Sequence, residues 1–186
     1  MVDLGIRNYF VNNIYANRGM TLEEDINQTN EYYNAKDIAL VYKKPTPIQV
    51  VQVEYPKNRI REAYFHEPST LDYTGIYKGN YIEFDAKETQ SKTSFPLSNI
   101  HEHQMRHMER VIYFGGITFL IVRFSFFNLT YLIDGDDVVH FEERFHRKSI
   151  PLDFFKNNCY LIEFKYSPRL DYIKCVDKII KNKEVK

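Results

Sequence analysis

Apolar positions recur along this chain first at helical and then at strand spacing. Leu22, Ile26, Thr29 and Tyr33 lie four, three and four residues apart, the period of one helix face, and Thr21 with Glu24 forms the S/T-x-x-E box that satisfies free amides at a helix start. The spacing predicts a helix opening at Thr21. Residues 38–42 are a short apolar run, broken by Lys43-Lys44-Pro45-Thr46-Pro47, where two prolines remove ladder donors and hold the backbone extended. Residues 48–55 alternate, with Ile48, Val50, Gln52 and Glu54 on one face, so that face is only partly buried. Residues 62–65, 71–77 and 81–87 read as further strands, punctuated by Pro68 and Gly79. A second helix is predicted from Ser98 as N-cap through Ile100, Gln104, Met108 and Val111, stopped by Gly115-Gly116. Strands at 117–124, 129–133, 138–141 and 160–164 and a helix at 170–181 complete the chain. With no internal repeat or linker, one α/β domain over 1–186 with a mixed central sheet flanked by helices is the simplest packing.

Composition narrows the class. The 186 residues are 44% hydrophobic and 16% aromatic, too much apolar surface for a disordered chain. The longest apolar stretch, Gly116 to Val122, meets Arg123 at once, far short of the roughly 20 residues that span a bilayer. Asp3, Asn8, Asn12 and Asn13 interrupt the N-terminus, so secretion is not expected and the cytoplasm is. Cys159 and Cys175 are too few for a disulfide scaffold and read as reduced core residues. Lys+Arg and Asp+Glu balance at 25 each, yet Lys43, Lys44, Lys57, Arg59 and Arg61 face Glu54 alone across residues 43–61. Asp134, Asp136, Asp137, Glu142 and Glu143 form an acidic lobe. A bipolar molecule of this kind binds DNA on one side, or has two ordinary solvated surfaces.

Candidate chemistry lies between Thr70 and Lys87. If Lys78-Gly79 is a two-residue hairpin loop, Tyr77 pairs with Asn80, Asp72 faces Asp85 and Thr70 faces Lys87. A bulge would offset that pairing by one. Period two then puts all four side chains on one face and leaves Ile82, Phe84 and Ala86 for the core. Two facing carboxylates repel unless a cation sits between them, and hard oxygen donors favour Mg²⁺ or Mn²⁺ over zinc. Lys87 beside such an ion is a fixed positive charge suited to phosphodiester hydrolysis. Gln104, a polar amide on an inward helix stripe, needs a partner there, a metal or a buried backbone group. The competing reading makes Asp72, Glu83, Asp85 and Lys87 a solvated strand face. His103 and His107 have zinc-pair spacing without a third soft ligand. Asp134-Gly135-Asp136-Asp137 has Phe145 where a calcium loop needs glutamate, so it reads as a hairpin turn.

A set of collinear blocks adds a resemblance: Asn17-Arg18-Gly19-Met20, Lys43-Lys44-Pro45-Thr46-Pro47, Glu62-Ala63-Tyr64-Phe65, Asp72-Tyr73, Tyr77-Lys78-Gly79, Ala86-Lys87-Glu88-Thr89, Lys92-Thr93-Ser94-Phe95-Pro96-Leu97 and His103-Gln104. Together they resemble RecU, the Holliday junction resolvases of Gram-positive bacteria and mycoplasmas. The resemblance implies a restriction-endonuclease-like PD-(D/E)xK fold, a homodimer, Mg²⁺ dependence, and paired symmetric nicks in four-way DNA during recombination and repair. By position it implies Thr70, Asp72, Asp85 and Gln104 as the metal site, Lys87 as transition-state stabiliser, and Glu23 as an acidic residue that many nucleases of this superfamily bring to the site. It also implies a projecting basic stalk over about 43–61, a flexible N-terminus over about 1–16, and Arg18, Lys43, Lys44, Lys57, Arg59 and Arg61 as DNA contacts. Recombinase and branch-migration proteins are the implied partners, and the nucleoid the implied location. Two departures stand out: Asp85 where the family usually has Glu, and a shortened stalk between Pro56 and Glu62. They motivate an alternative, a catalytically weak or inactive junction-binding protein that modulates those partners.

Overall fold

The computed structural model describes residues 21–65 and 70–184. In chain order these form α1 (Leu22–Ala35), β1 (Leu40–Lys43), β2 (Ile48–Glu54), β3 (Arg59–Phe65), β4 (Tyr73–Tyr77), β5 (Asn80–Thr89) and β6 (Ser94–Pro96). Then come α2 (Glu102–Tyr113), β7 (Ile117–Phe124), β8 (Leu129–Asp134), α3 (Gly135–Val139) and α4 (Phe141–Phe145). The last elements are β9 (Ser149–Pro151), α5 (Leu152–Asn158), β10 (Tyr160–Leu161) and α6 (Ile173–Glu184). The expected N-terminal segment, Arg18, Pro68 and Ser69 lie outside the described residues.

β7 is buried along its whole length, as a strand covered on both faces must be. It sits inside a six-stranded sheet of order β1-β4-β5-β7-β8-β10. β5 and β7 run parallel and the other pairs antiparallel, so the mixed sheet expected of the pattern is the one observed. The crossover between the parallel pair carries α2, which covers one face. Phe119 and Ile121 point to the α1 and α6 side, where they join Ile26, Tyr33, Phe84, Tyr172 and Val176. Leu120, Val122 and Phe124 point to the α2 side with Met108, Ile133, Val138, Phe141 and Phe155. Tyr73, Phe84 and Phe119 stack across three strands at 4.8 and 4.6 Å, tying β4, β5 and β7 together on the first side.

Several boundaries differ from the pattern. Val138–Phe141 is not a strand: the Asp134 side chain accepts the Asp136 amide at 3.2 Å and starts α3, with α4 following. Val138 and Phe141 are both buried at a spacing of three, a helical interval, and four apolar residues alone do not separate the two periods. The hairpin turn expected at 134–137 is therefore a helix start. Ser98 lies in a 3₁₀ turn, Leu97–Asn99, and α2 begins after His101, whose amide is taken by the Gln104 side chain at 3.2 Å. The strand expected at 160–164 shrinks to β10 and an isolated bridge between Phe164 and Leu170, and the closing helix starts at Ile173. β6, β9 and α5 were not marked by the periodicity.

Among the described residues β2 and β3 pair only with each other, with register shifts at Gln52. Most of this ribbon is exposed, including Val51 and Ile60. It carries Lys57, Arg59 and Arg61, whereas Lys43 ends β1 and Lys44 follows it on the body. Cys159 and Cys175 are free thiols, and burial pushes Cys175 up to about 11. Among the described residues no helix is long and apolar enough to cross a membrane.

Candidate active site

The hairpin register decides what meets in the site. Lys78 and Gly79 both have positive φ, 48° and 77°, the backbone of a type I′ loop, and Tyr77 pairs with Asn80 and Tyr73 with Phe84. No bulge intervenes, so the same register sets Asp72, just before β4, against Asp85. Asp85 lies on the sheet face that packs against α2 and is fully buried. Its Oδ1 accepts the Ala86 amide at 2.7 Å, and its Oδ2 accepts Gln104 Nε2 at 2.6 Å and the Lys87 ammonium at 2.8 Å. Lys87 also donates to Gln104 Oε1 at 3.4 Å. Gln104 is thus fixed by the start of α2 at one atom and holds Asp85 with another.

Asp72 is half-buried, and its carboxyl is pushed up to about 6, by burial first and then by the charge of Asp85 and a hydrogen bond with it; Lys87 and Lys43 oppose the rise. Glu23, on the first turn of α1, lies 2.6 Å from the Lys43 ammonium and shares a cleft of about 240 Å³ with Asp72, Ala86 and Glu88. Glu88 Oε1 accepts the Leu22 amide at 2.7 Å, which docks the N-terminus of α1 on β5 beside Lys87. The structure therefore brings Asp72, Asp85, Lys87 and Gln104 into one cluster with Glu23 across the cleft. Lys57, Arg59 and Arg61 stand apart on the ribbon, where Lys57 and Arg61 lie 3.7 and 3.5 Å from Glu54.

Thr70 and Lys44 are engaged elsewhere. The Lys44 ammonium donates to the Thr70 hydroxyl and to Glu83, and Thr70 donates to Glu83 Oε1 at 3.3 Å. Burial alone would raise the Glu83 carboxyl, but hydrogen bonds from Lys44, Tyr81 and His107 outweigh it and hold it below its ordinary value. His107 turns to Glu83, and His103 stacks on His101 at 5.4 Å. The sequence offered one signal for Glu83, its period-two relation to Asp85 and Lys87, and none for its partners.

The donor set suits a hard cation. Asp72 and Asp85 supply carboxylate oxygens and Gln104 an amide, while the Thr70 hydroxyl is turned to Lys44 and Glu83; burial raises Asp72 first, and the charge of Asp85, which adds to the rise, is one a divalent ion relieves. Among the described residues no cluster of three or more His, Cys, Asp or Glu is placed to hold a metal.

The family model for RecU, recombination protein U, matches residues 17–178. A protein named Holliday junction resolvase RecU from Geobacillus thermodenitrificans (strain NG80-2) is 54% identical over 171 residues, 89% of this chain and 85% of its own length. The protein of that name from Oceanobacillus iheyensis is 51% identical over 174 residues, 90% of this chain and 89% of its own. The one from Pediococcus pentosaceus is 50% identical over 175 residues, 91% and 87%.

Proposed function

The chain belongs to the RecU family of recombination proteins, and from that premise we propose that it is a divalent-cation-dependent endonuclease that resolves four-way DNA junctions by paired symmetric nicks. The observation that carries this reading is the convergence of Asp72, Asp85, Lys87 and Gln104 on one point of the sheet. Mg²⁺ or Mn²⁺ held by Asp72 and Asp85, with Gln104 completing its surroundings, would supply charge neutralisation and an activated water for phosphodiester hydrolysis. Lys87 contributes a fixed ammonium that Asp85 and Gln104 restrain, suited to stabilising the negative charge that develops on the phosphoryl oxygens in the transition state. Gln104 keeps Asp85 oriented from the start of α2. Glu23 adds negative charge at the cleft wall.

The exposed cations Lys57, Arg59 and Arg61 of the ribbon, with Lys43 at the cleft, and Arg18 contact DNA phosphates. Two copies related by a two-fold axis match the two-fold symmetry of a junction and account for paired cuts. The reading places the protein in the cytoplasm at the nucleoid, working beside recombinase and branch-migration proteins in recombination and repair.

A synthetic four-way junction with Mg²⁺ or Mn²⁺ tests the proposal. The parent protein nicks opposite strands, and Asp72→Asn binds the junction without cutting it; full cleavage by that variant removes the metal assignment. One observation favours the alternative of a junction-binding protein with little catalysis. The short Asp85 side chain already has three donors on its two oxygens, and a cation must compete with them. Binding without cleavage in either metal would select that alternative.

A further inference from the structure

Lys44 lies between β1 and the ribbon, Thr70 is the first described residue after the ribbon, and these two feet reach one carboxylate. Glu83 is 1% exposed. Its Oε1 accepts the Lys44 ammonium and the Thr70 hydroxyl and lies 2.9 Å from His107 Nε2, while its Oε2 accepts the Tyr81 hydroxyl at 2.5 Å. Lys44 also donates to Thr70, so the feet are tied to each other as well as to Glu83. The backbone runs the same way: the Lys44 amide donates to the Asp72 carbonyl at 2.7 Å.

These contacts reach the site from three directions. Glu83 precedes Asp85 by two residues on the same face of β5. His107 lies three residues beyond Gln104, on the same side of α2. Lys44 and Thr70 belong to the two connections between ribbon and sheet. A carboxylate buried this deeply is tolerated only while its cations and donors stay in place, and it constrains them in return.

We propose that Glu83 is a positioning residue: it clamps both feet of the ribbon to the catalytic strand and so sets where DNA held by the ribbon lies relative to Asp72, Asp85 and Lys87. The inference rests on the nuclease reading above and adds to it. Glu83 governs how fast and at which phosphate a junction is cut, and junction affinity depends on it little.

Glu83→Gln keeps the shape of the side chain and removes its charge. On a four-way junction with Mg²⁺, this variant is expected to bind within about threefold of the parent and to turn over about tenfold more slowly at saturating DNA. Its nick shifts along the strand or spreads over neighbouring phosphates. Hydrogen exchange at the Lys44 amide accelerates while β7 is unchanged. Lys44→Met alone leaves a buried carboxylate without its cation, so the informative partner is the combined E83Q/K44M variant, which displaces the nick as E83Q does and is no slower. Parental turnover, nick position and Lys44 exchange in E83Q overturn the proposal. So does a loss of binding and turnover in step with a lower melting temperature at an unmoved nick, which is what a purely structural role produces. If the parent itself does not cut, the nuclease reading fails by that result, and Lys44 exchange still decides whether the clamp exists.

Discussion

Asp85 has no exposed surface, and its orientation depends on Gln104 and Lys87. Gln104→Ala removes the amide that fixes Oδ2 and opens a small void at the start of α2. Groups that orient a metal ligand are commonly worth 10- to 100-fold, so junction cleavage should fall by about that factor and be partly restored by more Mg²⁺. A Mg²⁺ titration of cleavage checks this, and an unchanged curve would remove Gln104 from the site. A second carboxylate reports on stability. Burial would raise the Asp171 carboxyl, but hydrogen bonds from Lys174 and Tyr33 outweigh it and hold it below its ordinary value. Because the folded value is the lower one, the stability it contributes is present above the ordinary carboxylate value and disappears as pH falls through the folded one. Asp171→Asn should therefore melt below the parent at neutral pH, with the gap closing in acid. A constant gap across a pH series of melting curves would refute that assignment.

At the scale of elements, α1 is held at its start by two devices. Thr21 and Glu24 cap it reciprocally at 3.2 and 2.7 Å, and Glu88 takes the next amide. Thr21→Ala should cost about 1 kcal/mol, read as a lower denaturation midpoint at constant slope. β1 is held by its closeness to β4 at Gly75, where an added Cβ would stand 2.2 Å from the Leu40 carbonyl oxygen and 2.8 Å from Val41 Cα. Backbone cannot yield there as a side-chain tip can. Gly75→Ala should cost more than the about 1–3 kcal/mol of ordinary overpacking, and should disturb Lys43 at the end of β1 and Lys44 after it as well. Denaturant melts and junction binding by the same variant measure both effects, and parental behaviour in both would contradict the tight β1–β4 approach.

Across the whole molecule, charge is segregated although the chain is neutral overall. The ribbon presents Lys57, Arg59 and Arg61, of which Lys57 and Arg61 pair with Glu54 through largely exposed and therefore weak contacts. In the acidic lobe Arg144 bridges Asp136 and Asp137 at 2.7 and 3.1 Å. Replacing Lys57, Arg59 and Arg61 together by Ala should weaken junction binding and lower the slope of log affinity against log salt by about one per lost phosphate contact. A slope equal to the parent's would show that the ribbon does not carry the DNA. What the chain alone settles here is local. Two residues of loop and the period-two alternation of an extended backbone are enough to place Asp72 against Asp85 and Lys87 on their face, because both follow from covalent geometry over a few residues. The helix of Leu22, Ile26 and Tyr33 was legible for the same reason, and Val138–Phe141 was not, since four apolar residues fit either period until burial selects one. Two partners of Glu83, Lys44 and His107, come from 39 residues before it and 24 after it, and no spacing encodes them. Lys44 reads as one more basic residue beside the ribbon until the sheet closes. Then burying Glu83 makes an ammonium partner worth more than an exposed position in water, and a pairing of that kind exists only in the folded molecule.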